Sequence, residues 1–176
     1  MSYLVLAYPQ ISKHDLDWIQ SLREKYDEKY YEIVGPHFTI VFPVDDIDKQ
    51  SFVKHVTEKV KTIGKFYFVL RCAQVVKDFF AEYYDVFLVP EEGYRIFVKI
   101  HDLLYTDILL DKLRLDIPYI PHLSIGGSFE PFNAKKIADE INAKKLEIIG
   151  SVESLDLVSY ENNMLTKIAS IPLLEK

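Results

Sequence analysis

A five-residue element occurs twice in this chain and constrains its fold more than any other feature. Pro36-His37-Phe38-Thr39-Ile40 returns 85 residues later as Pro121-His122-Leu123-Ser124-Ile125, with three identities, one large-apolar exchange and one hydroxyl-for-hydroxyl exchange. With 8 Pro and 5 His in 176 residues, composition alone predicts roughly 0.2 Pro-His dipeptides. Both copies also carry the same continuation, which points to a duplicated structural unit.

The register extends beyond the element. Asp48 and Asn133 each lie 11 residues after their histidine, and both are residue types that open helices as N-caps. Phe52, Val56 and Val60 form an apolar stripe at helical spacing, and Ile137 and Ile141 hold the same offsets of 15 and 19 from His122 that Phe52 and Val56 hold from His37. Upstream, an apolar strand ending in proline (3–9 and 86–90) precedes an amphipathic segment (14–30 and 92–110) in both halves. Further strands are expected at 66–75, 146–160 and 165–174, rich in β-branched and aromatic residues. Each half therefore reads strand, helix, His-bearing strand, helix, strand. The expectation is an α+β chain, one domain over residues 1–176, built from two pseudo-symmetric halves near 1–80 and 81–176 with no linker between them.

On a strand, residues i and i+2 share a face. His37 pairs with Thr39 and His122 with Ser124 on the outward faces, while Phe38, Ile40, Leu123 and Ile125 turn inward. A pseudo-two-fold arrangement brings two imidazoles and two hydroxyls to one cleft. Imidazole is the side chain that can be neutral in one copy and protonated in the other near neutral pH. A pair can act as general base and general acid on opposite sides of a displacement at phosphorus. The hydroxyls can donate to non-bridging oxygens as charge builds. Packing alone does not account for histidine and hydroxyl at the same outward positions of both copies.

Other features narrow the class. A chain with 49% hydrophobic and 27% charged residues is globular, not disordered. Its longest unbroken apolar run is the six residues from Tyr3 to Tyr8, against the roughly 20 a bilayer-crossing helix needs. With no signal-sequence pattern at the start, the expectation is a cytoplasmic protein without a membrane partner. Cys72 is the only cysteine and the five histidines are dispersed, so no local ligand spacing announces a metal. The net charge of −6 provides no general attraction to a phosphate backbone. A small nucleotide or an RNA end is expected as ligand, not a long nucleic-acid track.

The remaining candidates have plainer readings. His14 and His55 read as solvent-facing, His101 can face either way on its helix, and Cys72 reads as a small core residue in an apolar strand. The run Phe79-Phe80-Ala81-Glu82-Tyr83-Tyr84 reads as core or loop packing, with base stacking as the second reading. Asp45-Asp46-Ile47-Asp48 reads as a turn and cap. Tyr119, just before the second motif, is a candidate for the rim of the cleft and for substrate binding.

The paired elements His37-Phe38-Thr39-Ile40 and His122-Leu123-Ser124-Ile125 resemble the signature of the two-histidine (2H) phosphoesterase superfamily. Asp85-Val86-Phe87-Leu88-Val89-Pro90 and Tyr119-Ile120-Pro121-His122-Leu123-Ser124-Ile125-Gly126 are similar in particular to the branch of 2′-5′ RNA ligases and RNA 2′,3′-cyclic phosphodiesterases. The resemblance implies two antiparallel sheets lining a central cleft with helices outside. It also implies chemistry on 2′,3′-cyclic or 2′-5′-linked phosphodiesters with no metal or other cofactor. By carry-over, His37 protonates the leaving oxygen, His122 activates water, and Thr39 and Ser124 hold the phosphate; the residues themselves leave the order of the two histidines open. Gly127 stands where many members of the RNA branch carry arginine, and Val41-Phe42-Pro43 replaces a glycine-bearing continuation. The alternatives are a nucleotide-binding module without turnover and an interaction domain on the same fold.

Overall fold

The computed structural model describes residues 1–175. Along the chain run β1 (Ser2–Ala7), β2 (Gln10–Ile11), α1 (Lys13–Tyr26), β3 (Phe38–Val44), α2 (Lys49–Val60), β4 (Phe66–Lys77), β5 (Tyr84–Glu92) and α3 (Tyr94–Leu104). After a 3₁₀ turn at Asp107–Lys112 come β6 (Leu123–Ser128), α4 (Pro131–Asn142), β7 (Ile148–Val152), β8 (Ser154–Glu161) and β9 (Met164–Pro172). No helix among the described residues is long and apolar enough to cross a membrane.

The strands form two sheets, β3-β1-β8-β9 and β2-β7-β4-β5-β6, with every neighbouring pair antiparallel. The fold is thus α+β with two antiparallel sheets. The order β3-β1-β8 in one sheet matches β6-β5-β4 in the other, and each His-bearing segment leads into an edge strand.

The sheets do not divide at residue 80. β4, from the first half, lies beside β5, while β8 and β9, from the second, extend the sheet begun by β1. Connection length accounts for this: the short segment 78–83 folds β4 and β5 into a hairpin, the arrangement open to antiparallel neighbours. The strand expected over 146–160 is two strands. Ile148–Val152 pairs with β4 and Ser154–Glu161 with β1, so the chain changes sheets at Glu153.

Local chemistry sets the helix starts. The Ser12 hydroxyl accepts from the Asp15 N–H at 3.1 Å, and the Asp48 carboxylate accepts from the Ser51 N–H at 2.9 Å, each satisfying a donor that the first turn leaves without a partner. Asn133 is not a cap. α4 starts at Pro131 behind Glu130, because proline's fixed φ and missing N–H suit the first helical position.

His55 is a second correction. It is buried, and its Nε2 lies 2.9 Å from the Leu104 carbonyl. Position 55 falls on the stripe of Phe52 and Val56 one turn on, and the end of α3 leaves carbonyls that need donors. Cys72 is a third, being exposed. A register shift between Leu70 and Cys72 changes the phase of β4: Phe66, Phe68 and Leu70 are buried before it and Ala73 after it, as an inserted residue requires. His14 is exposed, as expected.

Gly126 fixes how α1 docks on β6. Its φ is +121°, and a Cβ placed there would lie 2.1 Å from the Tyr26 carbonyl oxygen at the end of α1. Gly126→Ala is expected to destabilise the fold by at least about 2 kcal/mol, from backbone strain and overpacking together. Chemical denaturation measures it, and an unchanged midpoint would show that α1 does not depend on this close approach.

Candidate active site

β3 has a partner strand on one side only, and three of its backbone groups are met by side chains. The His101 ring nitrogen Nδ1 lies 2.8 Å from the Ile40 carbonyl, the Tyr119 hydroxyl donates to the Thr39 carbonyl at 3.1 Å, and the Phe42 N–H donates to the Tyr105 hydroxyl at 3.1 Å. His101 is buried and stacks on Tyr119 with centroids 3.7 Å apart. That inward facing was open in the sequence. The segment approaching His37 is held from the other side by Arg23, which is 2% exposed. Its guanidinium donates to Asp27 at 2.9 and 3.1 Å and to the carbonyls of Tyr30 and Val34 at 3.3 and 2.7 Å. The loop between α1 and β3 is thus fastened at its start, middle and end.

Both histidines are oriented by one device. Nδ1 of His37 lies 2.8 Å from the Gly35 carbonyl, and Nδ1 of His122 lies 2.6 Å from the Ile120 carbonyl. A carbonyl can only accept, so Nδ1 carries the hydrogen in each ring and Nε2 is the nitrogen left to exchange a proton. Phe87 stacks flat on His122 with centroids 3.5 Å apart, and Tyr8 lies beside His37 at 6.1 Å.

His37, Thr39, His122 and Ser124 all line one cavity of about 460 Å³. Among the described residues, neither hydroxyl has a hydrogen-bond partner in the protein. Burial pushes the His37 imidazole below its usual range, with nearby Arg23 adding to the effect and the Gly35 carbonyl and Asp27 opposing it. Burial likewise lowers His122 to about 4, opposed by the Ile120 carbonyl and reinforced by the charge of His37. The charge of His37 thus acts on His122, and burial disfavours the protonated form of both rings in the free protein.

The cations around the cavity are already paired. Arg23 meets Asp27 at 2.9 Å, Lys29 meets Asp78 at 3.0 Å, Lys77 meets Glu82 at 3.2 Å and Arg114 meets Asp116 at 2.6 Å. The polar groups of the paired motifs can meet a phosphoryl group with neutral donors and with imidazolium, with no dedicated basic cradle. Among the described residues no three His, Cys, Asp or Glu side chains gather as a metal-holding group.

The family profile described as the 2′-5′ RNA ligase superfamily matches residues 9–164. The chain belongs to that superfamily. Curated proteins give no match. Among solved structures, the chain is similar to TT0787 of Thermus thermophilus, with a TM-score of 0.65 and 11% identity over 100% of both chains. It is also similar to E. coli LigT complexed with 3′-AMP (TM-score 0.62, 12% identity, 99% of this chain and 98% of that one). A third is Kluyveromyces marxianus Usb1 with uridine monophosphate (TM-score 0.56, 10% identity, 98% of each). At such identities the likeness is one of fold. It agrees with the 2H phosphoesterase resemblance read from the motifs.

Within this superfamily member, the four motif residues line one cavity, whereas Tyr119, expected at its rim, does not line it. Its ring lies against His101 and Phe42, and its hydroxyl ties the approach to β6 onto β3. Phe79 and Phe80 are not packed inside. They are 54% and 71% exposed and line the cavity from the β4–β5 turn, whereas Tyr83 of the same run is buried. Arg23 and Arg114 also line the cavity and were not singled out by the sequence, and Asp85 and Phe87 line it from the β5 stretch that carried the resemblance but no site role. Phe87 is the β5 residue paired with Ser124, a register that only the sheet reveals.

Proposed function

We propose that this protein is a metal-independent hydrolase of 2′,3′-cyclic phosphodiesters on nucleotides or RNA ends, acting by paired-histidine general acid–base catalysis. The observation that carries the reading is the matched geometry of His37 and His122, each with Nδ1 on the carbonyl two residues back in a shared cavity. His122 takes a proton from water as the water oxygen bonds to phosphorus. His37 gives its proton to the ribose oxygen as the phosphorus–oxygen bond to it breaks. Thr39 and Ser124 donate to the non-bridging oxygens where negative charge accumulates. A 5′-hydroxyl in place of water makes a 2′-5′ linkage by the same two proton transfers. The order of the two histidines follows the family resemblance, since burial disfavours the protonated form of both.

A cavity of about 460 Å³ falls within the roughly 300–1,000 Å³ typical of small-molecule sites. With its four cations paired, recognition centres on the reacting phosphate and its nearest nucleotides.

The pH dependence tests the assignment. Catalysis needs one imidazole neutral and one protonated, and kcat/KM reports the free protein. Because burial lowers both, kcat/KM against a nucleoside 2′,3′-cyclic phosphate is expected to follow a bell with its maximum below about pH 6.5. A bound phosphodiester anion favours imidazolium, so the kcat profile lies to the alkaline side of the kcat/KM profile. Turnover is expected to persist in excess chelator. Loss of turnover there, restored by a divalent ion, or a profile without an acid limb, would overturn the mechanism, and binding without any turnover would favour a nucleotide-binding module.

A further inference from the structure

Three carboxylates line the cavity, and two of them are neutralised: Asp27 by Arg23 and Asp78 by Lys29. The third, Asp85, has no hydrogen bond or ion pair among the described residues. Its neighbours across the sheet explain why. On one side β6 presents Gly127, which has no side chain, and on the other β4 presents apolar Val76. A Cβ at Gly127 would lie 2.2 Å from the Tyr84 carbonyl oxygen, so that position excludes a larger residue reaching over Asp85. Lys29, the cation whose charge acts on Asp85, is held by Asp78 at 3.0 Å and lies over the Tyr83 ring at 3.6 Å. Burial, reinforced by Asp78 and Asp27 and opposed by Lys29, raises the Asp85 carboxyl to about 6. At neutral pH the group is mostly ionised and can only accept hydrogen bonds.

Asp85 lies two residues before Phe87 on β5, on the same face and roughly 7 Å along the strand from the ring that stacks on His122. Phe79 and Phe80 line the same cavity, exposed enough to offer their ring faces, and the Arg114 guanidinium lies over Phe80 at 4.9 Å. An aromatic wall beside an unpartnered acceptor, one step along the strand from the phosphate-facing motif, is the layout of a base subsite.

We infer that Asp85 is a specificity-determining residue that favours guanine over uracil in the nucleotide bound at the paired histidines. This rests on the function proposed above for the ligand class. Guanine presents two adjacent N–H donors, N1–H and N2–H, which match the two oxygens of a carboxylate. Uracil presents one N–H between two carbonyl oxygens that the carboxylate repels. Adenine and cytosine, each with one amino group beside a ring acceptor, fall between.

The test combines binding and turnover. Calorimetric titration of guanosine and uridine 3′-monophosphates into the wild-type protein is expected to favour guanosine by on the order of tenfold or more, the scale of one bidentate base contact. Asp85→Asn, which replaces one acceptor by a donor, is expected to remove most of that ratio, and kcat/KM on the corresponding 2′,3′-cyclic phosphates to follow. Asp85→Ser gives a second reading where the amide variant fails to fold. Phe80→Ala is expected to weaken both bases alike, since stacking tolerates any base. Equal binding of the two nucleotides by the wild type, or a preference retained without the carboxylate, would overturn the assignment. A carboxylate-dependent preference without turnover of any cyclic substrate would uphold Asp85 and sink the proposed hydrolysis instead.

Discussion

His37→Ala and His122→Ala are each expected to lower kcat/KM for a nucleoside 2′,3′-cyclic phosphate by roughly 10²- to 10⁴-fold, the range that one positioned general acid or base contributes. Among the described residues each imidazole makes a single hydrogen bond, to the carbonyl two residues back, so its removal is expected to leave the adjoining strand and sheet intact. Circular dichroism and thermal unfolding of both variants are expected to remain close to wild type. The double variant is expected to lose much less than the product of the two single losses, because acid and base serve one transition state. Thr39→Ala and Ser124→Ala remove one neutral donor each and are expected to cost less. Wild-type product release by either histidine variant would defeat the pairing of the two motifs as a catalytic unit.

The largest expected effect on stability comes from Phe97→Ala. This α3 ring is fully buried and lies where the two sheets meet, with its centroid 4.2 Å from Phe38 on β3 and 5.0 and 6.1 Å from Phe66 and Phe68 on β4. Truncation removes the contact surface of three other rings at once, with an expected cost of about 3–5 kcal/mol. For a chain of this size that corresponds to a fall in Tm of roughly 6–20 °C. Phe38 follows His37 directly, so turnover at temperatures well below the new Tm is expected to decline as well. Phe97→Leu, which keeps most of the apolar volume, is expected to cost less. A loss below about 1 kcal/mol for the alanine variant, read by denaturant titration, would show that the sheets meet through other contacts.

What was legible in the sequence was what local periodicity encodes. Alternation on a strand places His37 with Thr39 and His122 with Ser124, and the structure lines one cavity with all four. Helical spacing buries Phe52, Val56, Ile137 and Ile141, and the Asp48 cap is readable because a carboxylate three residues before a free N–H is a local contact. The misreadings arise where a second element intervenes. His55 reads as a surface residue until the end of α3 supplies a carbonyl for it to meet. Cys72 reads as core because it falls in an apolar strand, whose phase the β4 register shift changes.

The repeat by itself determined that this chain has two equivalent histidine-bearing strands with hydroxyl partners, because backbone geometry ties side-chain direction to sequence spacing within a few residues. The tertiary structure alone decided how those strands meet. The exchange of β4 and β8 between sheets depends on pairing over long separations in the chain, and no spacing rule reaches that far. The charge state of the cavity was decided there too: Arg23, Lys29 and Arg114 are paired in space, while Asp85 has no partner among the described residues, flanked as it is by Gly127 and Val76. Desolvation and ion pairing depend on which atoms surround a group in three dimensions, and that is information a linear pattern does not contain.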